Sequence, residues 1–240
     1  LSALFTYDPL LPLIKEMNQE FNIPTIIATK LSDFMAGTPI STSADLGLED
    51  GWLHLSEVLA SGEGKIWKPP VLDIKKDDPA VIQYTGGTTG APKGALLSQH
   101  NIVAATHTVV RWCSDYVDCH PYERRRVLSI LPFNHVYGET CCICYSAFHV
   151  ATMVILPRFE IDEVFDTLHK FEYFSYWPAV PTMIQALFYN PRVDEIDWHA
   201  KIGYVSSGAA PASVELINKC SSYDFNFFEG YGMSETASLA

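Results

Sequence analysis

The sequence predicts an α/β fold built from two mainly parallel sheets that are covered by helices. Strand-like and helix-like segments alternate over residues 127–229, which is typical of parallel sheets with helices on both faces. Hydrophobic residues make up 48% of the 240 residues, enough for a substantial core and one or two domains. Ligands of such sheets bind beyond the carboxyl ends of the strands, so the turns after the predicted strands are the candidate sites.

The first part of the chain predicts one α/β unit followed by a long connection. Residues 11–21 have the pattern of a helix, and residues 25–29 have that of a strand. Residues 31–70 are rich in Gly, Ser, Asp and Pro, which is typical of surface connections. Within them, residues 55–59 predict a short helix.

A buried strand is predicted over residues 80–85, immediately before a glycine-rich loop. The pattern over residues 96–110 predicts the next helix, with Ser98 or Asn101 as its N-terminal cap. The loop therefore joins the end of a strand to a helix.

Polar residues 114–126 mark the predicted boundary between two subdomains. The first, incomplete subdomain covers residues 1–113 and ends with the glycine-rich loop and the helix after it. The second covers residues 114–240. Its predicted strands are 127–131, 151–156, 173–177, 201–206 and 225–229, and its predicted helices are 138–148, 161–171, 181–190 and 212–221.

Charge and cysteine spacing argue against two classes of function. The formal net charge is −12, which argues against a nucleic-acid surface, and the basic run at residues 124–126 is too short to form a patch. Cys141 and Cys144 have the C-x-x-C spacing of zinc and redox sites. No second pair accompanies them, and they lie in an apolar stretch, so we interpret the six cysteines as reduced thiols of a cytosolic protein.

The sequence YTGGTTGAPKG, residues 84–94, has the composition of a phosphate-binding loop. Glycines let the backbone approach a ligand closely, threonine hydroxyls donate to phosphate or bind a metal, and lysine supplies positive charge. The loop lacks the Gly-Lys-Ser/Thr of the common ATPase loop, and a flexible turn is the alternative interpretation. The candidate residues are Thr85, Gly86, Gly87, Thr88, Thr89, Gly90 and Lys93.

Two further clusters follow predicted strands. In LPFNHVYG, residues 131–138, His135 lies between a strand and a helix; a helix-capping histidine is the alternative. In SSGAAP, residues 206–211, a flat base has room to lie on the backbone, because Gly208, Ala209 and Ala210 have little or no side chain; an ordinary strand–turn–helix connection is the alternative.

The last cluster is EGYGMSETA, residues 229–237. Tyr231 lies between two glycines, so its ring is free to stack on a base. Glu235 offers an oxygen ligand of the kind that magnesium prefers, and Ser234 offers a hydroxyl to phosphate. Glu229, the first residue of the cluster, offers carboxylate oxygens as hydrogen-bond acceptors and is a weaker candidate.

The four clusters, in this order, resemble the signature of the adenylate-forming superfamily, which includes acyl-CoA synthetases, aryl-CoA ligases, luciferases and peptide-synthetase adenylation domains. The match covers roughly residues 80–240. Gly86 stands where the usual form has Ser, which is similar to some long-chain fatty acyl-CoA synthetases. The resemblance implies part of the N-terminal domain of an acyl-CoA synthetase-like fold.

The resemblance also implies roles for individual residues. Lys93, His135 and Glu235 would be catalytic, and Thr85 and Glu235 would bind Mg²⁺. The implied nucleotide-binding residues are Thr85, Gly86, Gly87, Thr88, Thr89, Gly90, Lys93, Gly208, Ala209, Ala210, Glu229, Gly230, Tyr231, Gly232, Met233 and Ser234.

The implied reaction activates a carboxylic acid in two steps. The acid attacks the α-phosphorus of ATP to give an acyl adenylate and pyrophosphate, and coenzyme A then displaces AMP. A fatty or other apolar acid is favoured by the apolar candidates for the acid pocket, which are Phe133, Val136, Tyr137, Trp177 and Phe188. The alternatives are an aryl-acid or amino-acid adenylating enzyme and a non-catalytic nucleotide-binding module.

The expected partners are a small carboxylic acid, ATP with Mg²⁺, and coenzyme A, with no nucleic acid. We expect a cytoplasmic protein without a transmembrane segment, and a long-chain substrate would bring it to the membrane surface. The sequence predicts no particular oligomeric state. Related enzymes carry a ribose-binding Asp and a lysine-bearing C-terminal domain later in the chain, so we expect a fragment of a larger ligase that is inactive alone.

Overall fold

In the computed structural model of this chain, the described residues are 2–34, 41–65, 68, 70–85, 92–117 and 120–238. They form two compact units, Leu1–Leu72 and Asp73–Ala240. The subdomain boundary expected after residue 113 stays a prediction: the compact units divide elsewhere, and a helix runs through position 113.

The first unit contains a parallel three-stranded sheet with the order β1-β2-β3. Its strands are β1 (Leu4–Tyr7), β2 (Ile26–Thr29) and β3 (Leu53–His54), and its helices are α1 (Leu11–Phe21), α2 (Ser43–Leu46) and α3 (Leu55–Gly62). Helix α1 and strand β2 confirm the α/β unit predicted from the sequence. The sequence did not predict β1, β3 or α2; β3 and α2, with two and four residues, are too short to show a periodicity.

The second unit contains a parallel sheet and a separate hairpin. The strands are β4 (Pro79–Thr85), β5 (Lys93–Ser98), β6 (Arg126–Ser129), β7 (Thr152–Ile155), β8 (Trp177–Ala179), β9 (Val205–Ser207) and β10 (Phe227–Glu229). The helices are α4 (Gln99–Val117), α5 (Val136–Gly138), α6 (Tyr145–His149), α7 (Ile161–Lys170), α8 (Pro181–Phe188), α9 (Trp198–Lys201) and α10 (Val214–Ser221). One π-helical segment, Glu139–Cys144, joins α5 to α6.

Five of these strands run side by side in parallel. Strand β7 pairs with β6, β8 pairs with β9, and β9 pairs with β10. A parallel bridge between Val127 and Tyr176, together with a 3.0 Å hydrogen bond from Leu128 N to Tyr176 O, places β6 beside the chain that enters β8. The order is therefore β7-β6-β8-β9-β10, which confirms the predicted parallel sheet.

Both faces of this sheet are buried. Successive strand residues point to opposite faces. Leu128, Trp177 and Val205 accordingly belong to a core with α7, α8, α9 and α10, whereas their neighbours Val127, Tyr176 and Tyr204 belong to a core with α4 and the α5–α6 segment. Helices thus cover the sheet on both sides, as the alternating pattern predicted.

The region around the glycine-rich loop differs from the prediction in two ways. Residues 96–98 belong to β5, which pairs antiparallel with β4, and the helix begins only at Gln99, after Ser98 as cap. Strand β4 is also not buried, since the side chains of Ile82 and Tyr84 are mostly exposed. The hydrophobic residues of 93–98 fit a strand and the start of a helix equally well, and sequence periodicity does not separate short cases of this kind.

Among the described residues, no helix has both the length and the apolar character needed to cross a membrane.

Gly138 lies where the chain after β6 passes close to itself. A Cβ atom at this position would lie 2.2 Å from the carbonyl oxygen of Pro132 and 2.8 Å from its carbon. Because both atoms belong to the backbone, moving them away would cost considerable free energy. We expect Gly138→Ala to lower the free energy of unfolding by about 1–3 kcal/mol, measured by urea denaturation with tryptophan fluorescence.

Gly62, in α3, provides the control, since a Cβ there would meet nothing within 4 Å. Gly62→Ala should leave the urea midpoint unchanged or raise it slightly. An unchanged midpoint for Gly138→Ala would contradict the proposed clash.

Candidate active site

A cavity of about 430 Å³ opens at the carboxyl ends of the strands of the second unit. Thr85 at the end of β4, His135 after β6, and Gly208 and Ala209 after β9 all line it, together with the whole segment 229–235 after β10. These residues are far apart in sequence. The turns after β6, β9 and β10 meet because parallel strands bring their following turns to one edge of the sheet. The antiparallel β4–β5 hairpin adds Thr85 to the same cavity.

The turn after β9 passes closely over a tyrosine ring. Gly208 N donates to Ala179 O at 3.1 Å, which extends the pairing of β8 and β9 by one step. A Cβ at Gly208 would lie 3.1 Å from the ring of Tyr137. Ala209 then takes a positive φ of 68°, a conformation that costs a residue with a side chain some free energy. Gly208 is buried against the Tyr137 ring, Ala209 is exposed, and both line the cavity.

The segment after β10 is tied to this turn by two hydrogen bonds. Gly230 N donates to Ser207 O at 2.8 Å, and Ala212 N donates to Oε1 of Glu229 at 2.9 Å. One carboxylate oxygen of Glu229 thus fixes the chain after Ala209. The ring of Tyr231 is 71% exposed at the cavity rim, so it is open to stack on a flat group.

A short 3₁₀ turn, Ser234–Thr236, carries Glu235. The turn is fixed by Thr140, which lies in the π-helical segment and donates from Oγ1 to Ala237 O at 2.9 Å. Strands β4 and β5 also pack against it. The carboxylate of Glu235 is exposed, but the backbone that carries it is held on three sides.

His135 is the N-terminal cap of α5. Its Nδ1 accepts a hydrogen bond from Tyr137 N at 3.1 Å. An accepting Nδ1 carries no proton, so the neutral ring carries its proton on Nε2. The capping interpretation and the functional one are therefore compatible, since the cap orients the ring and leaves an Nε2–H donor at the cavity.

The glycine-rich loop contributes only its two ends to the described structure. Thr85 and Lys93 are directly opposite each other in the β4–β5 hairpin, and Thr85 Oγ1 donates to Lys93 O at 3.3 Å. Lys93 is exposed and does not line the cavity. Gly86, Gly87, Thr88, Thr89 and Gly90 lie outside the described residues, so their roles remain predictions.

Comparison with known proteins identifies the family. A family model described as AMP-binding enzyme matches residues 7–240. The chain belongs to the AMP-binding enzyme family. It is 31% identical over 246 residues to a long-chain-fatty-acid–CoA ligase of Bacillus subtilis, covering 98% of this chain and 43% of that protein. It is 32% identical over 173 residues to the 4-coumarate–CoA ligase-like protein 6 of Arabidopsis thaliana, covering 69% of this chain and 29% of that protein.

Solved structures support the same fold. The N-terminal domain of FACL13 from Mycobacterium tuberculosis superimposes with a TM-score of 0.69 at 22% identity, covering 94% of this chain and 55% of that one. ATP-bound MatB from Rhodopseudomonas palustris superimposes with a TM-score of 0.67 at 24% identity, covering 95% of this chain and 44% of that one. This AMP-binding enzyme chain thus has the fold of acyl-CoA synthetase N-terminal domains and spans less than half of the length of the two curated relatives named above.

Several predicted residues of the AMP-binding enzyme chain lie elsewhere. Ala210 does not line the cavity. Of the apolar residues expected around the acid, Val136 and Tyr137 line it, whereas Trp177 and Phe188 are buried in the core on the opposite face of the sheet. Phe133 packs beside the other core without lining the cavity.

Sequence reasoning missed a second part of the cavity lining. Helix α4 contributes Thr108, Val109, Trp112 and Cys113, and the sheet contributes Tyr176, Tyr204 and Phe228. The α4 residues occur as two adjacent pairs four positions apart, the spacing of one helix face. That spacing predicts that the four residues share one face of a helix, but it does not predict which part of the protein this face contacts. A place in the core was an equally good interpretation.

The buried part of the lining is uncharged. Burial raises the pKa of Tyr137, Tyr176 and Tyr204 well above the usual tyrosine value, and it raises the pKa of Cys113 to about 11. These four groups are therefore protonated and neutral at pH 7.

The oxygen donors suit magnesium better than a softer metal. Among the described residues, no group of three His, Cys, Asp or Glu side chains lies close enough to hold a metal ion alone. Thr85 and Glu235 line the same cavity and offer a hydroxyl and a carboxylate, and Mg²⁺ takes few protein ligands when phosphates supply the rest.

Thr140 links the helix to the turn that carries Glu235, and both ends of this hydrogen bond are fully buried. Thr140→Val keeps the shape of the side chain but removes the donor. We expect it to lower the free energy of unfolding by about 1–3 kcal/mol and to weaken AMP binding, because the turn loses its anchor. Urea denaturation and calorimetric titration with AMP measure the two effects.

Thr106→Val is the matched control, because Thr106 is also nearly buried and donates to Ile102 O within α4. It should leave AMP affinity unchanged. Equal AMP affinity in the Thr140 variant and the wild type would show that the turn does not need this anchor.

Proposed function

We propose that this chain forms the nucleotide- and acid-binding part of an adenylate-forming acid–thiol ligase. A carboxylate oxygen attacks the α-phosphorus of ATP, which forms the acyl adenylate and releases pyrophosphate. The thiol of coenzyme A then attacks the acyl carbon and releases AMP. The observation that carries the proposal is the convergence of Thr85 at the end of β4 with the turns after β6, β9 and β10 on a single cavity.

His135 orients the reacting groups. Its Nδ1 is occupied by Tyr137 N, so Nε2–H is available to a carboxylate or α-phosphate oxygen. The carboxylate of the acid is already ionised at neutral pH and needs no base. His135 therefore contributes to the reaction by positioning two anions next to each other, which is the main task of a protein in phosphoryl chemistry.

Positive charge offsets the repulsion between the acid and the triphosphate. Lys93, exposed beside Thr85 at the end of the hairpin, provides it together with the amides of loop residues 86–90. Thr85 and Glu235 would hold Mg²⁺, which neutralises phosphate charge when bound.

The adenine is held between the turn after β9 and the segment after β10. The backbone of Gly208 and Ala209 offers a flat surface, and the ring of Tyr231 is exposed at the same cavity. We assign Glu229 first to the support of this turn, through its bond to Ala212 N, and only second to the amino group of adenine.

We propose an acid with an apolar tail. The name of the Bacillus subtilis relative supports a fatty acid, as the sequence predicted, and the names of the 4-coumarate–CoA ligases support an aromatic acid. An amino acid has less support. Glu229 and Glu235 are the carboxylates among the described lining residues, and both lie on the turns assigned to the nucleotide.

Lys93 should distinguish ATP from AMP. Lys93→Ala removes a positive charge that we assign here to the β- and γ-phosphates of ATP, which AMP lacks. We expect ATP binding to weaken by about tenfold or more, since a charged hydrogen bond contributes about 1.5–3 kcal/mol, and AMP binding to change little. Calorimetric titration with each nucleotide in the presence of Mg²⁺ measures the difference.

Lys76→Ala is the control, since Lys76 is an exposed lysine of the same unit that precedes β4, at the other end of this strand from Thr85 and Lys93. It should bind both nucleotides like the wild type. If neither nucleotide binds to the wild-type chain, the proposed function is wrong; if Lys93→Ala weakens ATP and AMP equally, only the assignment of Lys93 is wrong.

A further inference from the structure

One side of the cavity is a rigid, buried wall. We define the aromatic wall as Val109 and Cys113 of α4 with Tyr137, Tyr176 and Tyr204. All five line the cavity, are at most 9% exposed, and belong to one packed cluster. The rings of Tyr176 and Tyr204 stack at 4.5 Å, and Tyr145 packs behind Tyr176 at 4.5 Å. A wall with this support cannot withdraw to lengthen the cavity.

The hydroxyl groups of the wall are satisfied within the protein. Tyr204 donates to the hydroxyl of Tyr145 at 2.8 Å, and Tyr176 shares a 2.7 Å hydrogen bond with the hydroxyl of Ser206. Tyr137 donates to Ser206 O at 2.9 Å. The wall therefore presents ring carbon to a ligand and does not require a polar partner from it.

The wall also has no charge to pair with a charged tail. Its tyrosines and its thiol are neutral, and no Lys or Arg is found among the described residues that line the cavity. A second carboxylate or an ammonium group on the acid would be buried here without a counter-ion, which is strongly unfavourable.

The size of the cavity limits the tail. Its 430 Å³ lies near the lower end of the range of about 300–1,000 Å³ that encloses one drug-sized ligand, and the turns assigned to the nucleotide line part of it. A nucleotide bound at those turns would take up part of this volume, so less than 430 Å³ would be left next to the aromatic wall, which favours a compact group over a long alkyl chain.

From these observations we propose that the acid is a monocarboxylic acid with a compact, uncharged tail about the size of one aromatic ring, and that the aromatic wall sets the limit on tail length. The proposal rests on the function proposed above for the same site. It narrows the proposed substrates from acids with any apolar tail to acids with a compact apolar tail.

Acyl-adenylate mimics, in which an acyl sulfamate replaces the acyl phosphate, test the proposal without requiring turnover. The chain is titrated calorimetrically with AMP and with mimics that carry acetyl, 3-phenylpropanoyl, 3-(4-carboxyphenyl)propanoyl and hexadecanoyl groups, the last below its critical micelle concentration. We expect the phenyl mimic to bind at least about tenfold tighter than the acetyl mimic because its ring is buried. The carboxyphenyl and hexadecanoyl mimics should bind at least about tenfold more weakly than the phenyl mimic.

The outcomes separate this proposal from the proposed function. If hexadecanoyl or carboxyphenyl mimics bind as tightly as the phenyl mimic while AMP binds, the tail assignment is overturned and the nucleotide site stands. If neither AMP nor any mimic binds, the proposed function itself is overturned.

Adjacent residues of α4 offer a matched pair of variants. Val109 and Val110 are both nearly buried, but only Val109 lines the cavity. Val109→Leu should weaken binding of the phenyl mimic by about tenfold relative to AMP, whereas Val110→Leu should leave the ratio of the two affinities unchanged. An unchanged ratio for Val109→Leu would overturn the role of Val109. The wild-type tail series remains decisive if either variant fails to fold.

Discussion

Burial of both faces of the parallel sheet is the constraint from which the rest of the second unit follows. Leu128, Trp177 and Val205 pack on one side, and their immediate neighbours pack on the other, so mainly apolar side chains occupy both faces. Polar and flexible residues are confined to the strand ends, where parallel strands all point the same way. Convergence of the turns is thus a consequence of packing, and the particular residues in the turns decide what the site binds.

The turns continue the backbone pairing of the sheet for one further step. Gly208 N and Gly230 N bond to the last residues of the neighbouring strands, Ala179 and Ser207. Backbone groups bonded in this way resist local fraying. The surfaces assigned to the adenine are therefore as well fixed as the strands, although they carry little side-chain packing of their own.

The sequence correctly predicted the features that local residue patterns determine. Helices such as α1 and α7 were correctly located, and the clusters at residues 131–138, 206–211 and 229–237 lie at strand ends as predicted, because periodicity and turn composition are local properties. It failed where tertiary context decides. Trp177 was expected at an acid pocket, but Trp177 is buried in the core and its neighbour Tyr176 lines the cavity, since a shift of one residue along a strand exchanges the two faces. The contribution of α4 to the cavity was missed for the same reason: amphipathic spacing does not say which partner a face meets.

The π-helical segment Glu139–Cys144 carries an implication about chain length. Each residue turns a helix by about 100°, and a π turn accommodates a residue that a regular helix would not hold. Here it allows Thr140 to reach Ala237 while Tyr145, further along, still faces Tyr204. Removal of one residue would restore a regular helix but rotate everything after it away from the tyrosine stack. This stretch should therefore tolerate exchanges of side chain far better than insertions or deletions, unlike an ordinary surface connection.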